Sequence, residues 1–213
     1  MKITDVKAMV LSYELKDPIM DSRLCIRARE AVLVEVTTDE GITGMGESMC
    51  AGGPPSVTKA IIEEEVKRYC LGENPFRVER LWEKFYQGSM QHGRKGALIA
   101  AYSGVDIAIW DIVGKALDMP VYMLLGGFRT KMKAYASGGF YQEGKGVDEL
   151  IDEVSNYVKE GFKAVKIKIG RLSMKGDMER IKAVREAIGD DVDLMVDANN
   201  AYTPFTAIKV GKE

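Results

Sequence analysis

The chain has 213 residues, 46% of them hydrophobic and 29% charged, with a formal net charge of −2, the composition of an ordinary globular protein of one large or two small domains. So small a net charge gives no reason to expect nucleic acid or an anionic membrane as partner. No uninterrupted run of about 18 apolar residues stands out as a membrane span, and the N-terminus alternates like a strand instead of carrying a signal peptide, so a cytoplasmic protein is expected.

In chain order, residues 1–14, 31–38 and 42–48 read as strands, the last two joined by the turn "TDEG". Between the first two lies "KDPIMDSRLCIRARE", which has no clear period and reads as a loop from Pro18 to Arg29. A helix is predicted from Ser56, as N-cap, to Leu71, and a shorter one from Phe76 to Gln87. "GRKGALIAAYSGVDIAIWDIVGKALDMP" is apolar nearly all round, which predicts a helix buried at the centre of its domain and stopped by Pro120. Strands followed by helices describe an α+β domain. Cys25, Cys50 and Cys70 are odd in number and lack metal-ligand spacing, so they read as reduced thiols used in packing.

The pattern changes near residue 130. "KMKAYASGGF" reads as a strand, "GVDELIDEVSNYVKEGF" as an amphipathic helix, "KAVKIKIG" as a strand, "SMKGDMERIKAVREAIG" as a helix and "DVDLMVDANNAY" as a strand. A further helix opens with Thr203 as N-cap and Pro204 at its first position. Such alternation means parallel strands with right-handed crossovers. The domains are therefore set at 1–130 and 131–213. The second holds three βα units, the last unfinished, where a closed (β/α)₈ barrel takes about 250 residues; the chain reads as a fragment.

Two clusters fall at the C-terminal ends of successive parallel strands, where barrel and open-sheet active sites are built. Lys166 and Lys168, two apart, project from one face of their strand, and Asp197 and Asn199 do the same on the next. Ammonium groups beside a carboxylate suit proton abstraction next to a substrate carboxylate, whose enediolate product needs its developing negative charge offset. Oxygen ligands from Asp and Asn favour a hard ion such as Mg²⁺. An adjacent ammonium and a metal would lower the pKa of one lysine so that it serves as a base near neutrality; Lys168, nearer the strand end, is the better placed. His92, the only histidine, precedes the buried helix in a loop and is assigned no role.

The segments "ITGMGES", "FRVERLWEKFYQG", "GRKGALIAAYSGVDIAIWDIVGKALDMPVYMLLGG", "YASGGFY", "VKIKIG" and "DLMVDANNAY" run in this order over nearly the whole chain. Together they resemble the front part of an enolase-superfamily enzyme of the mandelate racemase/muconate lactonizing type. A lysine base, Mg²⁺ and an enediolate are the known pattern of that superfamily. The resemblance implies an α+β N-terminal capping domain followed by the start of a TIM-like (β/α) barrel, incomplete here. Lys168 becomes the general base, Lys166 its partner, Asp197 the first metal ligand and Asn199 its neighbour in the site, a substrate-binding candidate. Substrate choice falls to the loop from Pro18 to Arg29, with Arg23 and Arg27 as substrate-binding candidates, and to "MCAGGPP" near residue 50. The implied activity is Mg²⁺-dependent abstraction of the proton α to a carboxylate, in an acid-sugar dehydratase or a racemase/epimerase. Alternatives are a muconate-cycloisomerase-like or dipeptide-epimerase-like enzyme, or an inactive fragment acting only by association with other chains. A small carboxylate substrate and a homo-oligomer are expected. The remaining metal ligands and the second acid/base of such enzymes come from later strands, so the 213-residue chain alone is expected to be inactive.

Overall fold

The computed structural model describes residues 1–50 and 53–213. The chain forms two compact units, Met1–Tyr13 with Arg29–Thr130, and Glu14–Ala28 with Lys131–Glu213.

A three-stranded sheet runs in the order β1 (Ile3–Met20), β2 (Cys25–Thr38) and β3 (Thr43–Ser48). β2 and β3 are antiparallel, in register from Val32 opposite Ser48 to Thr37 opposite Thr43. Strand alternation sends Val32, Val34 and Val36 to one face, where all three are fully buried. The loop expected from Pro18 to Arg29 is not a loop: β1 and β2 continue as a long hairpin arm whose turn occupies only residues 21–24. Most of that arm is exposed or half-buried, so no face selects apolar side chains and no period shows in the sequence. Pro18 is tolerated because β1 lies at the sheet edge.

The helices of the first unit cover one side of this sheet. α1 (Pro55–Ala60), a π-helical segment (Ile61–Val66) and α2 (Lys67–Cys70) follow without a break. Pro54, not Ser56, is the N-cap; Pro55 takes the first helical position, where a missing N–H costs nothing. α3 (Val78–Ser89) starts two residues later than predicted. α4 (Ala97–Ala116) is the predicted central helix, with Val105, Ile109 and Ile112 fully buried. α5 (Val121–Leu124) is a single turn after Pro120. By length and mean hydropathy, 1.5, α4 passes for a membrane span, contrary to the expectation that no segment does. Yet 56% of that stretch is enclosed by the unit's own core, the condition of a core helix.

α4 lies along β3 and is pegged to it at three points: Ser48 Oγ donates to Ala101 O at 2.7 Å, Asp111 Oδ2 accepts Met45 N–H at 2.8 Å, and Lys115 Nζ donates to Thr43 O at 2.8 Å. The backbones approach so closely that a Cβ on Gly46 would stand 2.0 Å from Gly104 O. Beside this seam, Phe85 and Tyr102 stack at 4.2 Å between ring centroids. Cys70 is buried here, which pushes its thiol up to about 12. Cys25 departs from the packing expectation: it is exposed on the hairpin arm.

In the second unit β4 (Ala136–Ser137), β5 (Ala164–Lys168) and β6 (Asp193–Asp197) form a parallel sheet in that order. α6 (Val147–Lys159) and α7 (Met174–Ile188) are the crossovers, and α8 (Pro204–Val210) follows, with Thr203 Oγ1 capping Thr206 N–H. The core is Leu150, Val154, Val165, Ile167 and Val184, all fully buried. β4 is far shorter than the predicted 131–140: only Ala136 and Ser137 pair in register with β5, residues 131–135 do not pair, and at Gly139 φ turns to 61°.

On α6, the Glu153 carboxylate accepts hydrogen bonds from Gly139 N–H (3.1 Å) and Tyr157 Oη (2.8 Å) and pairs with Lys145. Burial alone would raise its pKa; Lys145, Tyr157 and the Gly139 amide outweigh that and hold it below the ordinary 4.5. A carboxyl depressed in the folded state stabilises fully above its unfolded pKa and loses that contribution as pH falls through its folded value. Glu153→Gln should therefore cost about 2 kcal/mol at neutral pH and flatten the loss of stability below pH 4.5. Thermal unfolding of both chains from pH 3 to 7 checks this.

Candidate active site

Parallel pairing sets Lys168 opposite Asp197 and Lys166 opposite Met195. Because both lysines point to one face, their ammonium groups converge on a single oxygen: Lys168 Nζ is 2.7 Å and Lys166 Nζ 3.8 Å from Asp197 Oδ2. The other oxygen, Oδ1, accepts the Asn199 N–H at 2.8 Å. The Lys168 hydrogen bond, the Asn199 amide and the field of both lysines overcome partial burial and hold the Asp197 carboxyl below its ordinary value. Asp197 is therefore a carboxylate throughout the neutral range.

The two lysines have different surroundings. Lys168 is 7% exposed, with its ammonium 5.3 Å from the centre of the Phe140 ring. Lys166 donates to Tyr135 Oη at 3.0 Å and lies 4.8 Å from that ring's centre. The Tyr135 hydrogen bond, followed by the charge of Asp197, pushes its pKa up. Lys166 is thus held as a fixed cation, and the enclosed Lys168 is the lysine that faces the carboxylate most closely.

Asn199 does not continue the strand face as predicted. β6 ends at Asp197, and Asn199 sits in the turn beyond with a left-handed φ of 48°, a conformation asparagine tolerates better than most residues. Its side-chain Oδ1 is 3.5 Å from Ser22 Oγ, which donates to Ala198 O at 2.6 Å. Arg23, a substrate-binding candidate from the sequence, donates through Nη1 to Asn200 O at 3.2 Å. Arg27 is exposed on β2, outside the group around Asp197. Ser22, Tyr135 and Phe140 were missed, since residue type alone does not mark a serine in a hairpin turn or an aromatic in a short strand's flank. His92 lies elsewhere, beside Glu65 at 3.2 Å in the first unit. Of the lid segment at residues 49–55, Ala51 and Gly52 lie outside the described residues.

The oxygens of Asp197 are hard donors of the kind Mg²⁺ takes. Their number is small: among the described residues no three of His, Cys, Asp and Glu gather as a metal-binding group. Asp197 therefore fits as one ligand of a metal site, with Asn199 adjacent, and does not form a complete cage.

A family model described as the mandelate racemase/muconate lactonizing enzyme N-terminal domain matches residues 3–126, and an enolase C-terminal domain-like model matches residues 149–213. The chain is 42% identical to an arabinonate dehydratase of Saccharolobus solfataricus, over 99% of this chain and 57% of that protein. It is 39% identical to a D-galactarolactone cycloisomerase of Agrobacterium fabrum, over 99% of this chain and 55% of that one. Among solved structures, a dipeptide epimerase from Enterococcus faecalis V583, complexed with Mg and the dipeptide L-Leu-L-Tyr, superposes with a TM-score of 0.85 at 30% identity, covering 100% of this chain and 58% of that one. The chain spans about half the length of the curated relatives it matches.

Proposed function

The chain belongs to the mandelate racemase/muconate lactonizing enzyme family of the enolase superfamily, and from that premise we propose that it carries the proton-abstracting half of a Mg²⁺-dependent acid-sugar dehydratase. The observation that carries the reading is the convergence of Lys166 and Lys168 on Asp197 Oδ2 across paired strand ends. In this reading Lys168 Nζ takes the proton α to the substrate carboxylate. Lys166, kept cationic by Tyr135, offsets negative charge as the enediolate forms. Asp197, ionised and braced by the Asn199 amide, is the residue that would hold the metal. Bound Mg²⁺ supplies the charge that makes the α-proton acidic enough to remove.

Dehydration is preferred to epimerisation or cycloisomerisation because the arabinonate dehydratase is the relative with the higher identity of the two curated ones above. An acid sugar is thus the substrate class, cytoplasm the location and a homo-oligomer the assembly. For the last, the exposed Tyr122, Leu125 and Phe128 supply an apolar surface in the first unit.

One experiment tests activity and its incompleteness together. The 213-residue chain alone should show no turnover of acid sugars with Mg²⁺, since a single carboxylate holds the ion weakly. A chimera joining this chain to the part of the arabinonate dehydratase that it does not match should dehydrate an acid sugar in a Mg²⁺-dependent way. Turnover by the chain alone, or a folded chimera inert toward every acid sugar tried, would contradict the proposal.

A further inference from the structure

Behind the strand ends lies a buried polar cluster that none of the site chemistry uses. On α7, Asp177 is 1% and Arg180 3% exposed. Asp177 Oδ1 accepts from Tyr141 Oη at 2.6 Å, and Oδ2 accepts the Gly170 N–H at 2.8 Å. Arg180 stacks its guanidinium over the Tyr141 ring, 4.4 Å from its centre, and donates through Nη2 to Gly139 O at 3.0 Å. The same Gly139 carbonyl accepts the Lys168 N–H at 3.4 Å. Arg180 Nε is buried without a hydrogen-bond partner among the described residues.

A buried carboxylate and a buried, incompletely satisfied guanidinium are an expensive way to attach a helix to a sheet; apolar side chains of like volume commonly stabilise more. What charged groups supply instead is direction. Here they seize the two peptides at which the chain leaves β4 and β5, Gly139 with φ 61° and Gly170 with φ 95°, where strand pairing no longer dictates the path. Lys168 lies between these holds: its amide is bound to the Gly139 carbonyl, and Gly170 follows it by two residues.

We infer that Asp177, with Tyr141 and Arg180, is a positioning residue, which fixes the end of β5 so that the Lys168 ammonium meets Asp197. This rests on Lys168 being the base. That role is tested separately by Lys168→Met in the chimera, so displaced Lys168 signals combined with a fully active Lys168→Met chimera would sink the base and leave the positioning intact.

The test is NMR of the ¹⁵N-labelled 213-residue chain, comparing it with Asp177→Asn, which keeps the shape and removes the charge. In the folded variant the Gly170 amide should exchange with solvent at least tenfold faster. The Lys168 amide and Nζ resonances, assigned by their loss in Lys168→Met, should shift, whereas those of Lys115, held by Asp111 and Thr43 O in the first unit, should not. A merely structural residue would lower the melting temperature and leave Lys168 unmoved in the folded chain, and that result overturns the inference. If Asp177→Asn does not fold, Tyr141→Phe removes the 2.6 Å bond to Asp177 and the weaker one that the hydroxyl accepts from Arg171 N–H at 3.4 Å, and decides by the same readouts. It should move Lys168 in the same direction, and an unmoved Lys168 overturns the inference there as well.

Discussion

Replacing Lys168 by methionine in the chimera should lower the rate of α-proton exchange by about 10²–10⁴-fold, the usual contribution of a positioned acid or base. Methionine retains most of the aliphatic stem that the enclosed side chain uses for packing, so loss of the ammonium dominates. Lys168 stands 2.7 Å from Asp197 and is nearly enclosed. Lys166→Met should behave differently. That lysine is a fixed charge, 3.8 Å from the carboxylate and tied to Tyr135, so its loss weakens charge stabilisation without removing the base. Its exchange should remain measurable, with the loss persisting at saturating substrate, as for an interaction made only in the transition state. Comparing both variants by deuterium incorporation separates the roles; equal losses would merge them.

Gly46→Ala should destabilise the first unit by about 3 kcal/mol, the upper part of the range for overpacking a core. The added Cβ would lie 2.0 Å from Gly104 O and 2.9 Å from Ala108 N. Both are backbone atoms of α4, which cannot rotate away as a side chain does. The helix has to back off from β3 and loosen the Ser48, Met45 and Lys115 pegs. A chain of this size loses roughly 2–4 °C of melting temperature per kcal/mol, so a fall of roughly 6–12 °C is expected by calorimetry. Gly53→Ala is the control: a Cβ there meets nothing within 4 Å, and melting should not change.

The convergence of Lys166, Lys168 and Asp197 was legible because two rules suffice for it: alternation along a strand sets the face, and parallel pairing sets the neighbour. α4 was legible for a like reason, since a helix apolar on every side has nowhere to lie except a core. The hairpin arm was not. Its order comes from backbone pairing with little burial, and that leaves no trace in side-chain pattern. Arg23, charged and in a predicted lid, reads as a ligand for substrate; its hydrogen bond to the Asn200 carbonyl is a tertiary contact that no sequence pattern marks. Asn199 was placed by counting in twos past Asp197, but the count is void once the strand has ended and φ has turned positive. Asp177 and Arg180 sit in an ordinary amphipathic helix, and only tertiary structure shows that they face inward.

In the proposed reaction Lys168, 2.7 Å from Asp197, abstracts a proton α to a carboxylate. The most direct measurement of this step is proton NMR of acid sugars incubated in ²H₂O with the chimera, with and without Mg²⁺. Deuterium is expected at the α-carbon of substrate or product when Mg²⁺ is present, and should be lost in Lys168→Met. Metal-independent turnover, or exchange that survives Lys168→Met undiminished, would contradict it.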